Sequence, residues 1–348
     1  MADRILIIRP SALGDVCRSV PVLASLRCAF PGARIDWLVQ DTFAPAIAHH
    51  PALTTVVPFA RRALGASASR GRLGKSLAFL KSLREARYDL VFDMQGLARS
   101  GLFAWATRAP RRVGFANARE MGWLGVNERH SVASAMHSVD RMLELLQRAG
   151  VEPVTDMRLY APPVDREAAA ADPTLAGKRY AVVAPTSRWP GKRWAPDRFA
   201  GLAAHLLARA PLDAVVIVGS ASERDQCDPL TALAASDARV IDRIGTTSIG
   251  ALMALIERAA IVIANDSAAL HMAVGFDRPL VALYGPTRID LVGPYRRERD
   301  VIQHITPSDA LDHKDEQTGR TLMDRITVDE VLEQASRSLS RFSSQTPA

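Results

Sequence analysis

Five short runs of branched apolar residues in the first half of the chain, and five more in the second, each give way to a polar turn or a stretch with helical periodicity. In the first half the runs are Arg4–Ile8, Arg34–Val39, Thr55–Pro58, Asp89–Asp93 and Arg111–Gly114. The helical stretches there are Ser19–Ala29, Phe43–His49, Lys75–Ala86, Ala98–Thr107 and His137–Ala149. In the second half the runs are Tyr180–Ala184, Ala214–Gly219, Arg239–Asp242, Ile261–Ala264 and Leu280–Tyr284. Helical periodicity there covers Pro196–Ala208, Glu223–Ala234, Ile249–Arg258, Ala268–Val274 and Val328–Leu339. Runs apolar on both faces suit strands of a parallel sheet, and their alternation with helices predicts an α/β, doubly wound arrangement.

At 348 residues the chain exceeds one ordinary core and accommodates two domains of about 150–170 residues. The alternation lapses in "GVEPVTDMRLYAPPVDREAAAADPTLAGK", which places a linker near Pro162–Gly177. The expected domains are 1–165 and 178–330, followed by a C-terminal helix and tail over 331–348. Two Rossmann-like domains facing each other across a cleft would bind ligand at the ends of parallel strands.

Cys17, Cys28 and Cys227 are few, odd in number and far apart, which suits free thiols in a reducing compartment. The N-terminus has no secretory pattern, and no run approaches the ~20 apolar residues of a membrane span. A cytoplasmic protein is expected.

The net charge of +7 favours anionic partners. From Thr42 to Arg84 there is no acidic residue, while Arg61, Arg62, Arg70, Arg72, Lys75, Lys81 and Arg84 all fall there. The small, polar middle of that segment reads as a basic loop, either plainly solvated or anion-binding. No aromatic stacking pattern accompanies the arginines, so nucleic acid is not an expected partner. "GRLGKS" at 71–76 ends like a phosphate-binding loop, yet Ser69 stands where its first glycine belongs and no buried strand precedes it.

Three stretches place polar groups where a strand hands over to a helix. In "RPSALGDVCRS" the carboxylate of Asp15 follows Gly14. Asp15 is either a helix cap, with Gly14 relaxing the turn, or a proton acceptor at the mouth of the first sheet. In "APTSRWPGKRWAPDRF" the hydroxyls of Thr186 and Ser187 and the ammonium of Lys192 suit phosphate oxygens, or a capped helix with a surface lysine. In "AAIVIANDSAALHMAVG" Asp266 and Ser267 lie at a strand tip and helix start. Unpaired N–H groups there suit a diphosphate, Asp266 suits sugar hydroxyls, and His271 sits about one turn further on, as a ligand contact or a core histidine.

Taken together, "PSALGDVCRSVPVLASLR", "DLVFDMQGLARSGL", "RRVGFANARE", "KRWAPDRFAGL" and "NDSAALHMAVGFDRPLVALYGPT" resemble glycosyltransferase family 9, the ADP-heptose:lipopolysaccharide heptosyltransferases. The similarity runs from about Arg4 to Pro294. It implies a GT-B fold, with an N-terminal acceptor-binding domain and a C-terminal domain that holds the nucleotide sugar. It further implies that Asp15 is the general base and that Ser11 to Gly14 lie beside the donor diphosphate. By the same resemblance Thr186, Ser187 and Lys192 contact phosphate, Lys192 catalytically, and Glu223 binds the donor ribose. Asp266 would hold the heptose, with Ser267, Ala268 and His271 near the diphosphate. Arg61, Arg62 and Arg119 would face the acidic acceptor.

The implied reaction is inverting transfer of heptose from ADP-heptose to an inner-core lipopolysaccharide sugar. The acceptor is lipid-linked, so peripheral contact with the cytoplasmic face of the inner membrane is implied as well. No Asp-x-Asp pair stands where a metal would bridge a diphosphate, so neither metal nor other cofactor is expected. One departure is Ala268, where the family usually has glycine, which bears on the donor's identity. A sugar-nucleotide epimerase and a non-catalytic nucleotide-sugar-binding protein remain as alternatives.

Overall fold

The computed structural model describes residues 2–63 and 73–343. Compactness divides the chain into one unit ending at Tyr160 and another beginning at Ala161.

The first unit runs β1 (Arg4–Ile8), α1 (Leu13–Arg18), α2 (Val20–Ala29), β2 (Arg34–Gln40), β3 (Thr55–Phe59), α3 (Gly74–Glu85) and β4 (Leu90–Asp93). It continues α4 (Ala98–Thr107), β5 (Arg111–Phe115), β6 (Glu128–His130) and α5 (Ser138–Arg148). Among the described residues these strands form a six-stranded sheet in the order β3-β2-β1-β4-β5-β6. Every pairing is parallel, with Ile8 beside Leu38 on one side and Asp93 on the other.

The second unit opens with α6 (Pro163–Ala171), β7 (Tyr180–Ala184), α7 (Pro196–Arg209), β8 (Ala214–Ile217), α8 (Asp228–Ser236) and β9 (Val240–Asp242). Then follow α9 (Ile249–Arg258), β10 (Ile261–Asn265), α10 (Ala268–Gly275), β11 (Leu280–Tyr284), α11 (Ile289–Val292), β12 (Val301–Gln303), α12 (Glu316–Asp324) and α13 (Val328–Ser343). Its sheet, also parallel, has the order β12-β11-β10-β7-β8-β9, the same winding as the first. In each sheet the winding direction reverses at a central pair, β1/β4 and β7/β10. The carboxyl ends of such pairs are where open α/β sheets bind ligands.

The central strands are legible because they are apolar on both faces: β7 and β10 are buried throughout, and β1 from Ile5 to Ile8. The edge strands β6 and β12 carry no apolar run, being three residues each, and only their pairing to β5 and β11 identifies them. Prolines set where several helices start. The helix expected over Ser19–Ala29 forms as α2, with Pro21 within its first two positions, and a further short helix, α1, precedes it from Leu13. Pro229 holds the same place in α8, leaving Ala221–Cys227 as 3-10 turns. The stretch Asp41–Ala46, with Pro45 inside it, is likewise 3-10 rather than the expected α-helix.

The expected linker near Pro162–Gly177 is instead largely α6. Pro163 starts it, and Arg166 donates to Glu257 of α9 at 2.7 Å from Nε. Where α6 crosses α9, a side chain at Gly250 would meet the Asp165 carboxylate at 2.0 Å. The final helix is no appendage, since Val331, Ala335 and Leu339 join the buried core of the second unit.

Three glycines of the first unit permit one close backbone approach. The 3-10 turn Gly122–Gly125 lies directly on α4. A Cβ on Gly125 would fall 1.9 Å from the Gly101 carbonyl oxygen, and one on Gly101 2.2 Å from that of Gly122. Gly125→Ala should therefore cost about 1–3 kcal/mol of stability, read as a lowered midpoint in denaturant. An unchanged midpoint would show that the turn can lift away freely.

Candidate active site

Asp15 is the third residue of α1, not its cap; the cap is Ala12, whose backbone N–H donates to Asp15 Oδ2 at 3.1 Å. Gly14 lies inside the helix and has no positive φ, so it supplies no turn. Two cations hold the carboxylate. Arg9 Nη2 lies 3.2 Å from Oδ1, and Arg18, one turn further along α1, donates to the same oxygen. Arg9 also donates to the Met94 carbonyl, tying the turn after β1 to the turn after β4 across the reversal point. Burial pushes the Asp15 carboxyl upward, but the guanidiniums of Arg9 and Arg18 outweigh it and hold the group well below the usual carboxylate range. Its side chain keeps 27% exposure, enough for a substrate hydroxyl to reach it.

The turn after β4 is built by a second carboxylate. Asp93 accepts from Gln95 N at 3.0 Å, Gly96 N at 3.1 Å and Ser100 Oγ at 2.9 Å. Burial pushes its carboxyl up to about 6 despite those donors. Gly96 sits at φ 66°, where a side chain would be strained, and its carbonyl receives the backbone N–H of Arg119 at 3.0 Å. Arg119 is exposed there, near half-buried Arg141, whose guanidinium lies 4.3 Å from the Phe115 ring centre. Burial, then the positive charges of Arg119 and Arg9, depress the Arg141 pKa, and its Nε is buried without a partner. Arg9, Arg119 and Arg141 thus build an anion-seeking edge beside Asp15. Arg61 and Arg62 are exposed just beyond β3 of the same sheet. Arg70 and Arg72 lie outside the described residues.

In the second unit the same edge carries the other candidates. Thr186 and Ser187 follow β7, while Asp266 and Ser267 follow β10. Lys192 Nζ meets Asp266 Oδ2 at 2.6 Å, with both side chains largely buried. Thr186 Oγ1 donates to Glu223 Oε2 at 3.2 Å, an oxygen that also accepts from Ser220 Oγ at 2.6 Å. Ser187 N donates to Gln226 at 3.3 Å. Ser267 is the cap residue of α10, yet its side chain makes no cap bond and its Oγ is buried without a partner. That hydroxyl, the first-turn N–H groups of α10 and the Lys192 ammonium are donors of the kind a diphosphate requires.

Ala268 is the first residue of α10 and lies outside the left-handed region, so it has no need of glycine's conformational freedom. His271 is buried within α10 at 4% exposure, in the layer beneath the helix start. Ser11 lies in the turn before α1, its N–H 3.4 Å from Gln95 Oε1.

Several site residues were not singled out from sequence. Arg9 and Arg18 are the cations that set Asp15, and the signal for Arg18 was its spacing of three from Asp15 on a helix. Arg141 lies on a helix distant in sequence and is recognisable only through its neighbours. Asn265, wholly buried, donates to the Pro185 carbonyl at 2.6 Å and accepts from Trp194 N at 3.2 Å. It ties the Lys192 turn to the tip of β10. Thr287, after β11, carries another buried hydroxyl without a partner.

The profile of glycosyltransferase family 9 (heptosyltransferase) matches residues 76–320. Lipopolysaccharide heptosyltransferase 1 of Pseudomonas aeruginosa is 32% identical over 305 residues, covering 85% of this chain and 82% of that protein. Lipopolysaccharide heptosyltransferase 2 of Salmonella typhimurium is 28% identical over 355 residues, covering 97% and 99%. Among solved structures, an E. coli heptosyltransferase with ADP superposes with a TM-score of 0.77 at 25% identity, covering 96% of this chain and 99% of that one. The E. coli ADP-heptose lps heptosyltransferase II shares the fold over 98% of this chain and 99% of its own, with a TM-score of 0.81 at 24% identity.

Removing one of the two cations tests the electrostatics of Asp15 directly. Arg18→Gln should raise the Asp15 titration midpoint toward the ordinary carboxylate range, followed by carboxyl carbon NMR. An unmoved midpoint would mean that Arg18 does not set the charge of this group.

Proposed function

The chain belongs to glycosyltransferase family 9, the heptosyltransferases, and from that premise we propose the reaction and the residues that carry it. It is a glycosyltransferase of lipopolysaccharide core synthesis, with a GT-B fold. The donor is ADP-heptose and the acceptor an inner-core lipopolysaccharide sugar. An acceptor hydroxyl oxygen forms the new bond to the anomeric carbon while the bond to the diphosphate oxygen breaks. The electron pair leaves with ADP, from the face opposite attack, so configuration inverts.

Asp15 receives the hydroxyl proton. The observation that carries this role is a carboxylate that is ionised, reachable and held by Arg9 and Arg18 at the reversal point of the first sheet. A carboxylate of low basicity takes nothing from a free alcohol, which is far too weak an acid. Once the carbon–oxygen bond is forming, that oxygen carries positive charge and its proton becomes strongly acidic. Transfer is therefore late, and low basicity is no obstacle to it.

Lys192 and the start of α10 stabilise charge on departing ADP. Lys192 is paired with Asp266 at 2.6 Å, so donor binding divides the two: the ammonium turns to phosphate and the carboxylate to sugar hydroxyls. Those fixed positive groups take the part a divalent ion plays elsewhere, and no metal is required. Thr186, Ser187 and Ser267 add neutral donors, and Glu223 reads the ribose.

The acceptor is acidic and carried on lipid. Arg119, Arg141, Arg61 and Arg62 supply the matching charge, and the chain works at the cytoplasmic face of the inner membrane. The family membership supports neither the epimerase nor the non-catalytic alternative.

Asp15→Asn should lower kcat at least ~100-fold while calorimetry shows ADP-heptose binding nearly unchanged. In the same assay, turnover of the unaltered chain should persist in excess chelator. Near-normal turnover of the variant would remove Asp15 from the role of base, and a strict Mg²⁺ requirement would contradict the charge assignment to Lys192 and α10.

A further inference from the structure

The helix layer on one face of the first sheet has an unusual outer surface. Its inner side is ordinary core: Leu83 of α3 and Phe103 and Ala104 of α4 pack on Leu6, Ile8, Leu38 and Val91. Rings of Phe59, Phe79 and Phe103 lie 4.9–5.7 Å apart between them. The outer side should then be polar, as on most surface helices. It is not.

Nine large apolar side chains are exposed among the described residues, and six of them lie on this layer. Leu102 and Trp105 stand on α4 at 46% and 43% exposure, with Leu73 at the cap of α3 and Leu77 on it at 57% and 61%. Met121 and Leu124, at 66% and 57%, belong to the turn that Gly101, Gly122 and Gly125 press onto α4. The turn's backbone contact fixes its apolar pair beside the helix.

The charges around these side chains are mostly of one sign. The sequence of α4, "ARSGLFAWAT", contains one arginine and no acid, a second arginine, Arg108, caps its carboxyl end, and Arg99, Leu102, Trp105 and Arg108 all face outward. Arg108 lies 4.0 Å over the Trp105 ring, and Arg129 lies 4.8 Å over Trp123 in the adjoining turn. Lys75, Lys81 and Arg84 are exposed on α3, where Glu85 is paired to Lys81 at 3.5 Å. Glu120 is turned to the start of α4, accepting from Ala98 N at 3.3 Å.

We propose that this α3–α4 surface docks on a lipid bilayer bearing anionic headgroups. The exposed leucine, methionine and tryptophan side chains are spread over two helices and a turn rather than gathered on one element. Interleaved with arginine and lysine, they match the boundary between acyl chains and charged headgroups. The amino ends of α3 and α4 lie on the same sheet edge as Asp15 and Arg119, so docking holds the acceptor-binding edge at headgroup level. That benefit rests on the lipid-linked acceptor proposed above; the docking itself does not require it. No helix among the described residues is long and apolar enough to cross a membrane, so the contact is peripheral.

The test uses the full chain and vesicles of phosphatidylethanolamine with phosphatidylglycerol, or of phosphatidylcholine alone, separated by sedimentation. The chain should sediment with the anionic vesicles and little with the neutral ones. Leu102→Ser with Trp105→Ser should weaken anionic-vesicle binding at least about tenfold. Both side chains are exposed, so the thermal melt should hold, and turnover on a lipid-free acceptor should equal that of the unaltered chain. Equal binding to neutral vesicles, no binding, or undiminished binding by the variant overturns the proposal. So does a self-associated chain, in lipid-free solution, that the substitutions make monomeric. If the unaltered chain transfers no heptose, the reaction assignment fails while sedimentation still decides the surface.

Discussion

Each sheet is wound in both directions from a central pair of strands, and the proposed chemistry hangs from the carboxyl ends of those two pairs. The reversal parts the connecting helices and leaves backbone donors and strand-tip side chains uncovered. In the first unit Arg9 spans that opening, bonded to the Met94 carbonyl on one side and to Asp15 on the other. In the second, Asn265 spans it, bonded to the carbonyl of Pro185 and the N–H of Trp194. A buried polar side chain without such partners would be costly, so each bridge also fixes the geometry of the turns it joins.

From those two bridges the electrostatics follow. The first edge holds two carboxylates shifted in opposite directions. Asp93, fully enclosed, is pushed up to about 6 and serves the backbone of its own turn. Asp15, with two guanidiniums on one oxygen, stays ionised and keeps an open side. The second edge stores its charge as the Lys192–Asp266 pair, whose members have different partners in a nucleotide sugar. A phosphate and a set of hydroxyls can divide that pair without leaving either member bare.

Much of this was legible in the residues. The central strands announce themselves as doubly buried runs, and Asp15, Thr186, Ser187, Asp266 and Ser267 were placed by their position after such runs. What was hidden depends on neighbours distant in sequence. Arg141 reaches the first edge from α5, and the short edge strands β6 and β12 are recognisable only through their pairing. Alpha helix α6 hid in a Pro- and Ala-rich segment because its stability comes from packing on α9, not from an amphipathic pattern. Asp15 as a cap was the wrong local picture for an instructive reason: the helix begins earlier, at Leu13, and the carboxylate reaches back to Ala12 from its third position. At Ala268 the residue is already helical, so its backbone conformation does not call for glycine.

The proposed mechanism requires Asp15 to be charged before the reaction begins and to accept its proton late. The pH dependence of kcat, measured with both substrates saturating, tests this most directly. Because Arg9 and Arg18 depress the group, kcat should stay level from neutral pH downward, with any fall confined below the ordinary carboxylate range of about 4. An acid limb with its midpoint between about 5 and 7 that Asp15→Asn leaves in place would contradict it, and would assign proton removal to another group.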